Sequence, residues 1–568
     1  SVEPGHAINL VGGDIVIAPA EVAPDTVQPA HIAAAGGQIN LVSVAAVGEV
    51  LASSFQPTSG MTLGSINLGP GTLLNVSGDS AGTVRIRGGQ LVVDNATISA
   101  DTGEAHGAAM AIDVAVTGDL TVTSNSAPAF TARATGTGNA GEIQIASGNF
   151  TATSLPDGSF FSTIESYTLG DGTAGNVRIT TGALNVSTDA FSPPVFFIDS
   201  GTGGGGNGGH VAITAADASF SNTGIVTGDS FLGGSGSTGN ISIKSDTLMI
   251  AGTTMAADSA SARGGDVSLE ARDITITNNS FIDVLSLEGG SAINIVADHL
   301  TVSEASPILN QTALGTGGGI TIAAKDVELR NESLVLSQTF GDGDAGNIRV
   351  TATDHITIAD DPLLGSNPSG FYTNSLGNVG LGDRGNAGSI DIVTGTLTMT
   401  GGARINTTTQ SAGRGGDVTI VAQNMNLSGQ RAFEVDSELF GLGGTKASGI
   451  YTRTVGSELC SGACGDAGHV SITTGSLTMS DGGAIDSGTT NTGRGGNVTV
   501  HATDTIALSG TMLDGTPSGI FSRTIGATPD AGSGGNIALT AGQSVSMSDG
   551  ASVSASSTGP GNAGNIVI

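Results

Sequence analysis

The chain has 568 residues, of which 92 are glycine, 16 proline and 2 cysteine, and it has no tryptophan. Its 18 basic and 50 acidic residues give a net charge of −32, which argues against nucleic-acid backbone or anionic lipid as a partner. Glycine follows no strict Gly-X-Y period, which excludes collagen, and no apolar run reaches the ~18 residues that a membrane-spanning helix needs. Clear apolar periodicity argues against disorder. With no start methionine and no signal peptide, the sequence reads as a processed or truncated piece.

Residues 1–120 are the least regular stretch. Leu10-Val11-Gly12-Gly13-Asp14-Ile15-Val16-Ile17 opens a first coil, Ala35-Gly36-Gly37-Gln38-Ile39-Asn40-Leu41 opens the next, and Gly48-Glu49-Val50 follows. Through 121–345 a short phrase takes over: glycine, a small polar residue, then two apolar residues separated by a polar one. Gly175-Asn176-Val177-Arg178-Ile179 and Gly239-Asn240-Ile241-Ser242-Ile243 are copies. Residues 346–568 continue it with Gly346-Asn347-Ile348, Gly416-Asp417-Val418, Gly468-His469-Val470, Gly496-Asn497-Val498 and Gly535-Asn536-Ile537. About 19 copies, mostly about 24–34 residues apart, mark a solenoid, which lengthens without needing one large core.

Within a repeat the pattern is that of strands. After Gly388, Ser389-Ile390-Asp391-Ile392, Leu397-Thr398-Met399 and Ala403-Arg404-Ile405-Asn406-Thr407 each alternate, with Thr394-Gly395 and Gly401-Gly402 as separators. Period-two alternation bounded by glycine predicts half-buried strands. About three strands per coil and about 19 coils predict an all-β chain folded as a parallel β-helix. The phrase glycine is read as a positive-φ corner, and the residue after it as one that tolerates the corner and bonds locally. Asn176, Asn240, Asn347, Asn497, Asn536 and Asn565 are then expected to stack as partial ladders, a structural role.

The last third carries a superrepeat of about 70–80 residues. Short coils end in Gly413-Arg414-Gly415-Gly416 or Gly493-Arg494-Gly495-Gly496; long coils contain Ser448-Gly449-Ile450-Tyr451-Thr452-Arg453 or Ser518-Gly519-Ile520-Phe521-Ser522-Arg523. Ser369-Gly370-Phe371-Tyr372-Thr373 and Gly158-Ser159-Phe160-Phe161-Ser162 are earlier copies. Alternation places Tyr451 with Arg453, on the face opposite Ile450. Phe161, Tyr372, Tyr451 and Phe521 are thus expected to point outward, either beneath their own insertion loops or as an exposed aromatic contact stripe. Cys460 and Cys464 lie in one bulge and read as a local disulfide. A zinc site there would need two more ligands; His469 is near and no fourth stands out.

These residues resemble a known family. The opening segment is similar to the stretch after the secretion domain of filamentous-haemagglutinin-like exoproteins, the cargo of bacterial two-partner secretion. The Gly138-Asn139-Ala140-Gly141, Gly385-Asn386-Ala387-Gly388 and Gly561-Asn562-Ala563-Gly564 corners look like the repeats filling the body of such proteins. The resemblance implies a right-handed β-helix exported through an outer-membrane two-partner secretion pore. It also implies an extracellular or outer-surface location on a Gram-negative bacterium and a role in adhesion, biofilm or surface coating. The residues from Ser1 on are read as the body region after the family's secretion domain, so export is inferred from the family alone, and no residue-level site transfers.

Two function classes follow. The first is a structural or adhesive rod with no cofactor and no catalytic residues. Its partners would be host or matrix glycans or proteins, or its own copies end to end or laterally. The chain stops at Ile568 inside a fresh phrase, so either more repeats follow or that end meets another subunit. The second class is a β-helical polysaccharide lyase or hydrolase, which would need clustered carboxylates on one face. Asp360 with Asp361 and Asp342 with Asp344 are the nearest approach and read as solvated turns. No tandem calcium nonapeptide occurs, and Gly341-Asp342-Gly343-Asp344 offers at most a weak cation site.

Overall fold

The computed structural model describes residues 1–568 except 24–25, 53, 126, 155–161, 189–195, 229–233, 362–366, 378–383, 431–446, 456–464, 491 and 527–531. Among the described residues all regular structure is strand, and no helix is long and apolar enough to cross a membrane. The chain divides into two compact units, Ser1–Ala271 and Arg272–Ile568. The boundaries at 120 and 345 drawn from the repeat pattern mark changes in repeat style; the compact division falls at Ala271 instead.

In the first unit, like strands of successive repeats pair in parallel. One series runs Gln38–Ser43, Thr83–Gly88, Met110–Val116, Glu142–Ala146, Val177–Thr188, Val211–Ser221, Ile241–Lys244 and Val267–Glu270. A second sheet of short strands runs from His31–Ala33 through Thr97–Ser99, Phe130–Thr131, Ser162–Glu165 and Phe196–Asp199 to Thr254–Ala256. Two small antiparallel pairs, Ala20–Ala23 with Thr26–Gln28 and Val50–Leu51 with Gln56–Pro57, belong to the irregular opening.

The second unit repeats the scheme with longer strands. Ile320–Arg330, Ile348–Ala359, Ile390–Thr400, Val418–Ser428, Val470–Ser480 and Val498–Ser509 pair in turn. The short strands Leu334–Thr339, Gly370–Ser375, Arg404–Thr409, Gly449–Thr454, Ala484–Asp486 and Gly519–Thr524 form the companion sheet. The all-β expectation holds, and the repeat-to-repeat parallel pairing is consistent with a β-helix. The count of strands needs one refinement. Thr394-Gly395 does not break the chain into two strands, because Ile390–Thr400 is continuous. What changes there is the phase of burial. Ile390, Ile392 and Thr394 face inward, then Leu397 and Met399 do, so the alternation slips by one residue at the separator.

Alternation produces apolar columns. Ile348, Ile390, Val418, Val470, Val498 and Ile537 lie in register, and all are buried. Each such side chain contributes about 1.5–3 kcal/mol on burial, so a core poor in aromatics suffices.

The phrase glycines are needed for a different reason from the one expected. Gly175, Gly239, Gly346, Gly416, Gly468, Gly496 and Gly535 do not have positive φ. Instead each backbone runs against the same corner one repeat earlier. A Cβ on Gly416 would overlap the Gly388 carbonyl oxygen, one on Gly468 that of Gly416, and one on Gly496 that of Gly468. The carbonyls are also hydrogen-bonded from inside: Thr407 Oγ1 donates to Gly416 at 2.6 Å, Thr452 Oγ1 to Gly468 at 2.8 Å and Ser522 Oγ to Gly496 at 2.8 Å. Ser166 and Thr227 do the same for Gly175 and Gly239. The glycine is fixed by contact, not by a left-handed backbone.

This makes Gly416→Ala a severe change. It should cost about 3 kcal/mol or more through overpacking, read as a lowered urea midpoint of the second unit. Gly13→Ala, where an added Cβ meets nothing within 4 Å, should leave stability unchanged. Equal effects of the two would show that contact at the corner is not what requires glycine.

Candidate functional site

The corners carry a second connection between repeats. At many corners the side chain after the phrase glycine accepts the backbone N–H at the same position one repeat later. Asn176 Oδ1 accepts from His210 at 2.9 Å, and Asn240 Oδ1 from Asp266 at 2.9 Å. In the second unit Asn347 Oδ1 accepts from Ser389, Asp417 Oδ1 from His469, and His469 Nδ1 from Asn497, all at 2.8–2.9 Å. Asn497 Oδ1 then accepts from Asn536, and Asn536 Oδ1 from Asn565, both at 2.9 Å. The contact is side chain to backbone rather than amide on amide, which is why Asp and His fit the same column. A parallel column runs three residues upstream: Asp344 to Asn386, Asn386 to Arg414 and Asp466 to Arg494, at 2.7–2.8 Å. Asp342, expected in a solvated turn with Asp344, likewise accepts the Arg384 N–H at 3.1 Å.

The aromatic stripe requires a correction. Phe371, Ile405, Ile450 and Ile485 form the buried column, and Tyr372, Asn406, Tyr451, Asp486 and Phe521 alternate away from it. Yet Tyr372 is 1 % exposed, Tyr451 2 % and Phe521 5 %, so these three rings are not an exposed contact surface. The Tyr372 hydroxyl donates to the Pro368 carbonyl and the Tyr451 hydroxyl to the Ala447 carbonyl, each just before its own strand. Arg453 lies 4.7 Å and Arg404 5.3 Å from the Tyr451 ring centre, and Arg523 lies 4.4 Å from that of Phe521. Phe161, Cys460 and Cys464 lie outside the described residues.

Alternation missed the charges beside these rings. Asp486, buried, accepts from Arg453 Nη2 at 2.6 Å and Arg523 Nη2 at 2.8 Å through one oxygen. Burial works to raise its pKa, and the two guanidiniums reverse this, leaving it below the usual carboxylate range. Arg404 is itself buried, and burial pushes its guanidinium pKa down.

The first unit has a counterpart on its short-strand sheet. Arg133 Nη2 bonds Asp101 Oδ2 at 2.5 Å, and its Nη1 lies 3.6 Å from Glu165 Oε2. Glu165 is in register with Thr131 on one side and Asp199 on the other. Burial pushes Glu165 up to about 7, against the pull of Arg133. Burial likewise pushes Asp199 up to about 6, and the Gly201 N–H at 3.1 Å only partly offsets it. Asp101, Arg133, Glu165 and Asp199 escaped the sequence reading. About 30 residues separate neighbours of this group, as expected for repeats of this length, and only strand register brings them together.

Asp360 and Asp361 do not share a solvated turn. Asp360 is buried and accepts the Ser369 N–H at 2.7 Å and hydroxyl at 2.6 Å, tying a superrepeat serine to the strand before it. Asp361 is exposed. Among the described residues no group of three or more His, Cys, Asp or Glu is placed to hold a metal.

Two predictions follow from the charge clusters. Glu165 has a folded pKa of about 7 against an ordinary 4.5, so the folded state holds its proton longer than the unfolded chain. Its stabilising effect is complete below pH 4.5 and is lost as pH rises toward 7. The urea stability of the first unit should fall across that window by up to about 1.4 kcal/mol per pH unit for this proton, and Glu165→Gln should flatten the fall. An unchanged pH slope in that variant would assign the titration elsewhere. In the second unit, Asp486→Asn strands two partly buried guanidiniums and should cost about 3 kcal/mol or more. An unchanged urea midpoint would show the triad to be without net effect. Comparison of the chain with protein-family models, with curated proteins and with solved structures found no match.

Proposed function

We propose that the chain is a secreted or cell-surface scaffold of structural or adhesive role. Each unit winds as a right-handed parallel β-helix of about three strands per coil, the first two of which share one continuous strand in the longer repeats. Its export route would be an outer-membrane two-partner secretion pore of a Gram-negative bacterium, on the resemblance of its repeats. Its partners would be matrix or host glycans or proteins, and it needs no cofactor. One observation supports this reading above the rest: the polar side chains at the corners are spent on the neighbouring repeat. Asn, Asp and His accept backbone N–H groups there, and Ser and Thr donate to glycine carbonyls. Such a chain invests its chemistry in stacking.

A second reading, a β-helical polysaccharide lyase or hydrolase, has one observation in its favour. Glu165 and Asp199 are neighbouring carboxyls with raised pKa values beside Arg133, the combination that general acid catalysis uses. Acidic polysaccharides incubated with the protein separate the two. The scaffold reading expects no new reducing ends and no unsaturated products, together with loss of surface adhesion or biofilm when the gene is deleted. Turnover that Glu165→Gln abolishes would reverse the assignment.

A further inference from the structure

The two corner columns of the second unit border a groove of about 590 Å³, lined by Arg414, Asp466, His469, Arg494, Asn497 and Asn536 among others. That size lies in the range of small-ligand sites, about 300–1,000 Å³. The hydrogen bonds of the columns fix the polarity of this groove. Asn497 and Asn536 each accept a backbone N–H through Oδ1, so their Nδ2 hydrogens are the unspent edge of each amide. His469 accepts through Nδ1, which places the proton of the neutral ring on Nε2. Arg494 enters the column by its backbone N–H to Asp466, leaving its exposed guanidinium out of it, and that guanidinium forms no ion pair among the described residues. Arg414 pairs with Asp417 at 2.9 Å and keeps further N–H groups. The acceptors are consumed by stacking, and donors remain. Of the six side chains only Asp466 offers a spare oxygen.

We propose that this donor-lined groove between the two corner columns, centred on Arg494, binds the carboxylates of an acidic glycan of the polyuronate class. A guanidinium pairs well with a carboxylate, and such charge-assisted bonds are the strong ones. The ring hydroxyls of a uronate supply donors for Asp466 and acceptors for the asparagine amides. The donors of His469, Asn497 and Asn536 recur from one repeat to the next at the strand spacing, about 4.8 Å, and Arg414 and Arg494 lie two repeats apart with Asp466 between them, so a ligand with repeating carboxylates and hydroxyls suits them better than an isolated anion. The site goes beyond the scaffold reading and stands equally if the chain is an enzyme.

Two substitutions test it without touching the stacking. Arg494→Gln keeps the backbone N–H that the column uses. Asn497→Asp keeps an acceptor for the Asn536 N–H, as Asp417 does for His469 in the same column, and replaces the outward donor with a charged acceptor. Calorimetric titration of the 568-residue chain with tri-galacturonate should show binding. The methyl-esterified trimer and inorganic phosphate should each bind about tenfold more weakly or not at all. Each variant should weaken tri-galacturonate about tenfold or more with the urea midpoint unchanged. No binding of tri-galacturonate, equal binding of the ester, equal binding of phosphate, or variants that bind like the parent would each overturn the proposal. Failure here leaves the scaffold reading intact, because that rests on the turnover and deletion experiments.

Discussion

The structure depends on how closely two successive corners approach each other. Strands of neighbouring repeats lie about 4.8 Å apart, and at the corner the backbone of one repeat sits directly against the carbonyl of the last. At corners such as Gly416, Gly468 and Gly496 only a residue without Cβ fits. Once glycine occupies that place, its carbonyl takes a hydroxyl from the short strand, as Gly416 does from Thr407. The next residue then lies where its side chain meets the following N–H, as Asp417 meets His469. Register is fixed there, and the Ile and Val columns inherit it, since a slip of one residue would turn every apolar side chain outward.

The same contact explains what could be read in advance and what could not. Phrases such as Gly496-Asn497-Val498 repeat because each copy meets the next, so spacing alone revealed stacked strands. A glycine letter does not say whether left-handed backbone or crowding requires it, and at these corners it is crowding. Thr394-Gly395 looks like a break because alternation slips there, yet the strand runs through it without interruption. Of the two outcomes open for Tyr372 and Tyr451, covered or exposed, alternation could not choose, and both rings are buried. Alternation separates the two faces of a strand, but it carries no information about the Pro368 and Ala447 carbonyls that receive the hydroxyls.

Charge shows the opposite limit. The two units place arginines and carboxylates on the outer side of the short strands with contrary proportions. Around Arg133 one guanidinium serves Asp101 and Glu165, with Asp199 alongside, and burial wins, so Glu165 and Asp199 hold protons more readily than usual. Around Asp486 two guanidiniums serve one carboxylate and outweigh its burial. Net charge, −32 for the whole chain, predicts neither. The sign of each shift depends on which residues share a register position.

These proportions bear on where a stacked chain can recognise anything. A side chain pointing into the core is committed to packing. One in a corner column has its acceptor committed to the next repeat, but an amide or an imidazole has a second polar atom that stacking does not use. Asparagine in the column therefore presents donors to solvent, aspartate presents an acceptor, and the choice between them leaves the backbone bond intact. Asn497 and Asp417 make the same inward contact and opposite outward ones. The corner thus separates two requirements. Its inner atom is held constant by the fold, and its outer atom is free to vary with whatever the surface binds.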